Sequence, residues 1–219
     1  MKKYFTKKYL VIFILFFLPI TAYIFFASGV NNFNRLPILT KSVRELNKFH
    51  QKNGTPVQLE HNITILGFFG KNPMANKVGA YNLGHKIYKK NRRFKDFQIV
   101  FLVPEEARNQ SQELEKKLSE IEDTDRWKFA FGSKEEIKKV FSSLQSNFNL
   151  DENLATPYVF IIDKDLNLRG RKEDEDVGVL YGFDSREIAE INNKMSDDIR
   201  IIFQEYRLAL KKNNAKREI

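Results

Sequence analysis

At 219 residues and 42% hydrophobic content, with 20 Phe, the chain can bury one substantial core and carry further segments besides. It contains no Cys, which excludes thiol redox chemistry, thiolate metal binding and disulfides. The net charge of +9 invites a nucleic-acid reading, yet residues 41–210 hold 28 Lys and Arg against 27 Asp and Glu, and the surplus lies at the two ends, so no nucleic acid is expected as a partner.

Residues 1–8 carry Lys2, Lys3, Lys7 and Lys8, and from Tyr9 to Ala27 there is no charge at all. At about 1.5 Å per residue that run matches a bilayer core, so residues 9–27 are predicted to be a transmembrane helix in contact with lipid, kinked at Pro19. Between Ser28 and Thr40 the only charge is Arg35. The positive-inside bias then leaves the N-terminus in the cytoplasm and places the rest beyond the cell (inner) membrane, as a single-pass protein with a periplasmic or extracytoplasmic domain. A cleaved signal peptide is the competing reading, since Ala27-Ser28-Gly29 supplies small residues. No Cys follows the run, so a lipoprotein anchor is not expected.

Residues 28–43 read as a linker, 44–210 as one domain and 211–219 as a basic tail. In the domain, Leu46–Gln51 and Thr55–Leu59 flank Lys52-Asn53-Gly54, an Asn-Gly hairpin signal. The apolar run Ile63–Phe69 predicts a buried strand, followed by a helix over Met74–Asn91 and a second buried strand over Phe97–Val103. An amphipathic helix is expected over Glu106–Ile121, then a strand over Trp127–Phe131. Ser133-Lys134-Glu135-Glu136 has the form of a capping box opening a helix to about Asn147. Strands follow at Thr156–Ile162 and around Leu166–Arg169, joined by a polar turn, while Arg171–Asp176 reads as a charged loop. Asp184 with Glu187 is expected to cap a last helix whose stripe is Ile188, Ile191, Met195, Ile199, Ile202, Tyr206 and Leu210.

This order predicts an α/β fold, a thioredoxin-like mixed sheet flanked by helices, with an N-terminal hairpin and right-handed crossovers. Three features together resemble the Sco (SenC) copper-chaperone family of thioredoxin-like proteins. They are the Leu36-Pro37 passage with its hairpin, the strand-turn-helix Phe68-Phe69-x-x-Asn72-Pro73-x-x-Asn76, and the Thr156-Pro157 step before a strand. The family places Cys-Pro-x-x-Cys at that turn; here both thiol positions are Asn. Thr156-Pro157 matches the cis-proline step of thioredoxins generally. The family's histidine ligand would fall near Leu154 or Ala155, neither of which binds metal.

Soft Cu(I) needs thiolate, thioether or imidazole, so the resemblance implies a relative without cofactor, metal or copper and without enzyme activity. His50, His61 and His85 are the only histidines and read as structural, and Met74 reads as packing. The sequon Asn62-Ile63-Thr64 leads a buried strand, which argues against glycosylation. The cluster Lys86, Lys89, Lys90, Arg92, Arg93, Lys95 is expected to end a helix, where cations complement its dipole. What the resemblance leaves is a surface for an unidentified protein partner, formed by Asn72, Pro73, Asn76, Thr156 and Pro157, in an assembly factor for a membrane complex such as a respiratory haem-copper oxidase. The alternatives are an envelope structural or interaction protein, and a peroxiredoxin-like enzyme using a non-thiol residue.

Overall fold

The computed structural model describes residues 7–27, 35–120 and 123–215. The expectations for residues 1–6, for the linker over 28–34 and for the tail end 216–219 lie outside the described residues, as does the side chain of Leu210. Two units are distinct, residues 1–34 and residues 35–219. The first contains one helix, α1 (Lys7–Ala27), with Pro19 inside it. Its side chains from Tyr9 to Phe25 are almost all exposed apolar groups. Among the described residues no helix is long and apolar enough to cross a membrane.

The second unit is built on one mixed sheet. Its strands are β1 (Ile38–Thr40), β2 (Ile63–Phe69), β3 (Phe97–Pro104), β4 (Trp127–Gly132), β5 (Ala155–Ile162), β6 (Leu168–Arg169) and β9 (Phe183–Asp184). They lie in the order β1-β6-β5-β2-β3-β4, with β9 pairing β5. β2 runs parallel to β3 and β3 to β4, while β5 is antiparallel to β2. Both faces of the sheet are covered, which is why β2 and β3 are buried along their whole length and read as continuous apolar runs. Alternation sorts them cleanly: Ile63, Ile65 and Phe69 join one core with Ile99, Phe101, Ile191 and Ile199, whereas Leu66 and Phe68 join the other with Val100, Phe160, Ile137 and Val140.

The helical segment after β2 is composite. A 3₁₀ turn (Pro73–Asn76) leads to α2 (Lys77–Leu83), a π turn (Gly84–Tyr88) and α3 (Lys89–Asn91). α4 (Arg108–Ser119) and α5 (Lys134–Ser143) follow β3 and β4. The last helix begins as α6 (Ile188–Glu190), passes through a π turn (Ile191–Met195) and continues as α7 (Ser196–Ala215). Its expected stripe is buried at Ile191, Met195, Ile199 and Ile202, but Ile188 stays 51% exposed and Phe203 joins the core instead.

Several expectations are corrected. The Asn-Gly loop forms, with Gln51 N–H donated to Thr55 O, but its flanks make only isolated bridges because His50 pairs with Phe131 of β4 rather than extending a hairpin. α5 ends at Ser143, after which Gln145 takes φ +50. Ser133 caps α5 by accepting Glu136 N–H; the Glu136 carboxylate, however, takes Arg44, Lys48 and Lys139. Arg171–Asp176 is not a loop: β7 (Arg171–Asp174) pairs with β8 (Gly178–Leu180) in a second, two-stranded sheet. Glu187 makes no side-chain cap at the last helix, and Asp184 instead accepts Arg186 N–H.

Candidate functional site

The turn after β2 is shaped by the main chain. Gly70 takes φ +60, and a Cβ there would lie 2.1 Å from Asn153 O. Lys71 N–H donates to the same Asn153 carbonyl at 2.8 Å. The loop 149–155 is thus pressed onto the start of the turn, and it is held there by Asp151, whose carboxylate accepts the N–H groups of Asn153 and Ala155. Leu154, at φ +63 and buried, completes this bend. Asn72 follows with φ −123 and ψ 76, and its carbonyl accepts Ala75 N–H.

Asn72, Asn76, Thr156 and Pro157 all line one open depression of about 320 Å³. Pro73 does not: it is buried at the first position of the 3₁₀ turn. Four further groups complete the rim, Asn149, Asp151, Asn153 and Arg186. The sequence carried a signal for three of them in the alternation Asn149-x-Asp151-x-Asn153 just before β5, whereas Arg186 comes from a distant turn that no local pattern assigns to the rim. Neither Asn caps a helix with its side chain; Asn72 makes no such bond, and Asn76 donates from Nδ2 to Phe69 O at 3.4 Å.

Thr156-Pro157 is joined by a trans peptide, not cis. The Pro157 carbonyl is occupied by Ser185, which donates both N–H (3.0 Å) and Oγ–H (2.8 Å) to it. Ser185 itself sits against Gly79, where a Cβ would come within 2.1 Å of its Oγ, and Asn82 Nδ2 grips the carbonyl of Ser185 at 2.9 Å. The turn after β9 therefore straps α2 to β5 at the edge of the depression. Beside it Arg186 lies across Asp184, with bonds of 3.0 and 2.6 Å. Burial pushes the Asp184 carboxyl up, but its bonds from the Arg186 side chain and backbone hold it below its ordinary value.

Copper, the metal of the family that the chain resembles, does not fit these residues: the rim offers amides, a hydroxyl, one carboxylate and a guanidinium, with no soft donor. Leu154 and Ala155, near which the resemblance would put a histidine ligand, carry no donor side chain. Met74 is half-buried and packed on the core. His50 Nε2 meets Glu105 at 3.1 Å, while His61 N–H donates to Lys164 O. Among the described residues no three His, Cys, Asp or Glu are grouped to hold a metal.

No family model and no curated protein matches the chain. Solved structures do. Two from Aquifex aeolicus VF5, a candidate electron transfer protein and a candidate electron transport protein, each share 16% identity over 75% of this chain. They superpose with TM-scores of 0.52 and 0.53 and are covered over 97% and 96% of their own lengths. BsSco, a member of the Sco family of cytochrome c oxidase assembly proteins, matches at 17% identity over 75% of this chain and 92% of its own, with a TM-score of 0.49. At these identities the likeness is one of fold, and the fold is a thioredoxin-like α/β sheet.

Proposed function

We propose that this chain is a membrane-anchored, redox-inactive thioredoxin-like domain of Sco type that holds a partner polypeptide during assembly of a membrane complex. The observation that carries this reading is the convergence of Asn72, Asn76, Asn149 and Asn153 on one open depression beside β5. Each carboxamide carries an N–H donor group and a carbonyl acceptor, the two kinds of group that a peptide unit also presents, so a rim of amides suits an extended main chain better than an ion or a thiol. Arg186 and Asp151 at the margin add one charge of each sign for side chains of the partner. The haem-copper oxidase as client rests on the sequence resemblance to the Sco family alone. The anchor rests on the uncharged run from Tyr9 to Ala27, helical throughout, and on the lysines before it. The protein is not an enzyme on this reading, because no nucleophile stands beside a base on the rim.

The test is capture of the full chain with its partners in mild detergent, set against an Asn72→Lys/Asn76→Lys variant. Loss of a specific polypeptide from the variant supports the docking rim, and an unchanged partner set rejects it. Tight one-to-one binding of Cu(I) by the protein overturns the metal-free part of the reading.

A further inference from the structure

A second depression, of about 240 Å³, is lined by Lys90, Asn91, Phe94, Arg200, Phe203 and Arg207, among others, with no acidic side chain among its lining residues. It is formed where α3 packs beside α7. Phe94 is 40% exposed and stacks on Phe203 with ring centres 4.0 Å apart and planes 6° from parallel. Lys86 in the π turn before α3, and Arg92, Arg93 and Lys95 in the turn after it, are near Phe94 in sequence. Among the described residues, the side chains of Lys86, Lys90, Arg92, Arg93, Lys95 and Arg207 have no ion-pair partner. The acids at its margin are already engaged: Asp96 by Lys164, and Asp197 by Arg200. A helix dipole accounts for one or two cations in a last turn, not for those in the turn beyond α3 nor for Arg207 on α7.

We infer that this face docks on the phosphate-bearing headgroups of an anionic lipid surface. Unpaired cations surrounding an exposed aromatic ring are the makeup of an interfacial contact, in which the ring enters the headgroup layer and the cations bind its phosphates. Leu208, 39% exposed beside Arg207, adds apolar surface. Position in the chain agrees. The segment arriving from α1 joins the domain at Leu36, whose N–H donates to Glu205 on α7, two residues before Arg207. The first described residues of the domain thus meet the C-terminal half of α7, which also carries Arg207, and the inference rests on the anchor reading for taking this as the end joined to the membrane. A nucleic acid fits less well, since the depression presents one exposed ring rather than a series for stacking successive bases.

The absence of Cys gives a clean test, because a single introduced thiol can carry an environment-sensitive fluorophore. The full chain bearing Lys95→Cys is labelled and reconstituted in vesicles of phosphatidylcholine, or of phosphatidylcholine with phosphatidylglycerol in equal parts. A label at Lys138→Cys on α5, which packs against the other face of the sheet, serves as reference. The position-95 label is expected to shift to the blue only with phosphatidylglycerol, and to lose the shift near 1 M salt, where screening acts within about 3 Å. Lys90→Glu/Arg207→Glu is expected to raise the phosphatidylglycerol needed for half the shift at least about tenfold. No shift, an equal shift at position 138, or indifference to the charge reversals overturns the inference, as does an equal shift with inorganic phosphate on phosphatidylcholine alone. Flotation with phosphatidylcholine vesicles at high salt reports the anchor separately: failure to float refutes the anchor, and the charge-dependent shift still decides the face.

Discussion

The rim around Asn72 and the belt around Arg169 are built by opposite means. At the rim the shape is fixed by backbone: a left-handed Gly70, a left-handed Leu154 and a loop whose N–H groups are gathered by Asp151. In the belt it is fixed by buried charge. Arg169, 6% exposed, donates to Asp163, to both oxygens of Glu205 and twice to Leu36 O, while Glu205 also accepts Leu36 N–H. Arg171 and Lys194 continue the pattern, pairing with Asp198 and Asp174 and fastening the β7–β8 hairpin to the last helix. The contrast means that side chains at positions 72 and 76 are not needed to make the turn, so the rim is free to carry whatever chemistry its ligand requires. The belt has no such freedom, since the buried charges of Arg169, Asp163, Asp174 and Asp198 each need the partner that neutralises them.

The hardest blow to this contrast comes from removing a belt charge. Arg169→Met leaves Asp163 and Glu205 facing each other without their cation and two Leu36 acceptor bonds unmade, and is expected to cost about 3–5 kcal/mol in denaturant unfolding. A loss under about 1 kcal/mol would show that water reaches the cluster and that the belt is no different from a surface. Gly70→Ala comes next. It combines the roughly 1–2 kcal/mol of a left-handed non-glycine residue with a Cβ thrust against the Asn153 carbonyl, and about 2–4 kcal/mol is expected. Because loop 149–155 must move to relieve it, partner capture is expected to fall along with stability.

The two regions were also unequally legible in the sequence. β2 and β3 showed themselves as continuous apolar runs because both faces are buried, and Ser133 announced α5 because a cap is a local bond. The turn at Asn72-Pro73 was equally plain, since strand, Pro and helix are consecutive. The belt is invisible in the sequence: Arg171 finds Asp198, and Lys194 finds Asp174, 27 and 20 residues away, so a charged stretch that reads as a loop buries Asp174 and forms a hairpin. For the same reason Arg186 was missed at the rim. The trans state of Thr156-Pro157 has a tertiary setting as well, as Ser185, fitted against Gly79, occupies the Pro157 carbonyl from across the sheet edge.

Glu136 sharpens the comparison from the side of pH. Its carboxylate is 8% exposed but its partners are not buried, with Lys139 at 55%, Lys48 at 65% and Arg44 at 44%. The Lys139 bond leads the causes that lower its pKa, burial opposes, and Lys48 and Arg44 add to bring it from 4.5 to about 2. A carboxyl depressed in the folded state contributes stability that is complete above pH 4.5 and disappears as pH falls toward 2. Glu136→Gln is therefore expected to be less stable than wild type at neutral pH, with the gap closing across that window. A gap that stays constant with pH would mean the contribution is packing and not charge.

The smallest stability effect is expected where the largest functional one is proposed. Asn72→Ala/Asn76→Ala removes one exposed side chain with no capping bond and one half-buried side chain whose bond to Phe69 O is 3.4 Å long. Nothing in the turn depends on either, because Pro73 and the Gly70–Asn153 contact hold its course. Unfolding free energy is expected to change by no more than about 0.5 kcal/mol, as for a surface substitution, while capture of the partner is lost. A rim that costs nothing to fold yet cannot be altered without loss of binding is the mark of a recognition surface. Should the double alanine variant instead unfold as readily as Arg169→Met, the amides are structural, and rim and belt are one kind of construction after all.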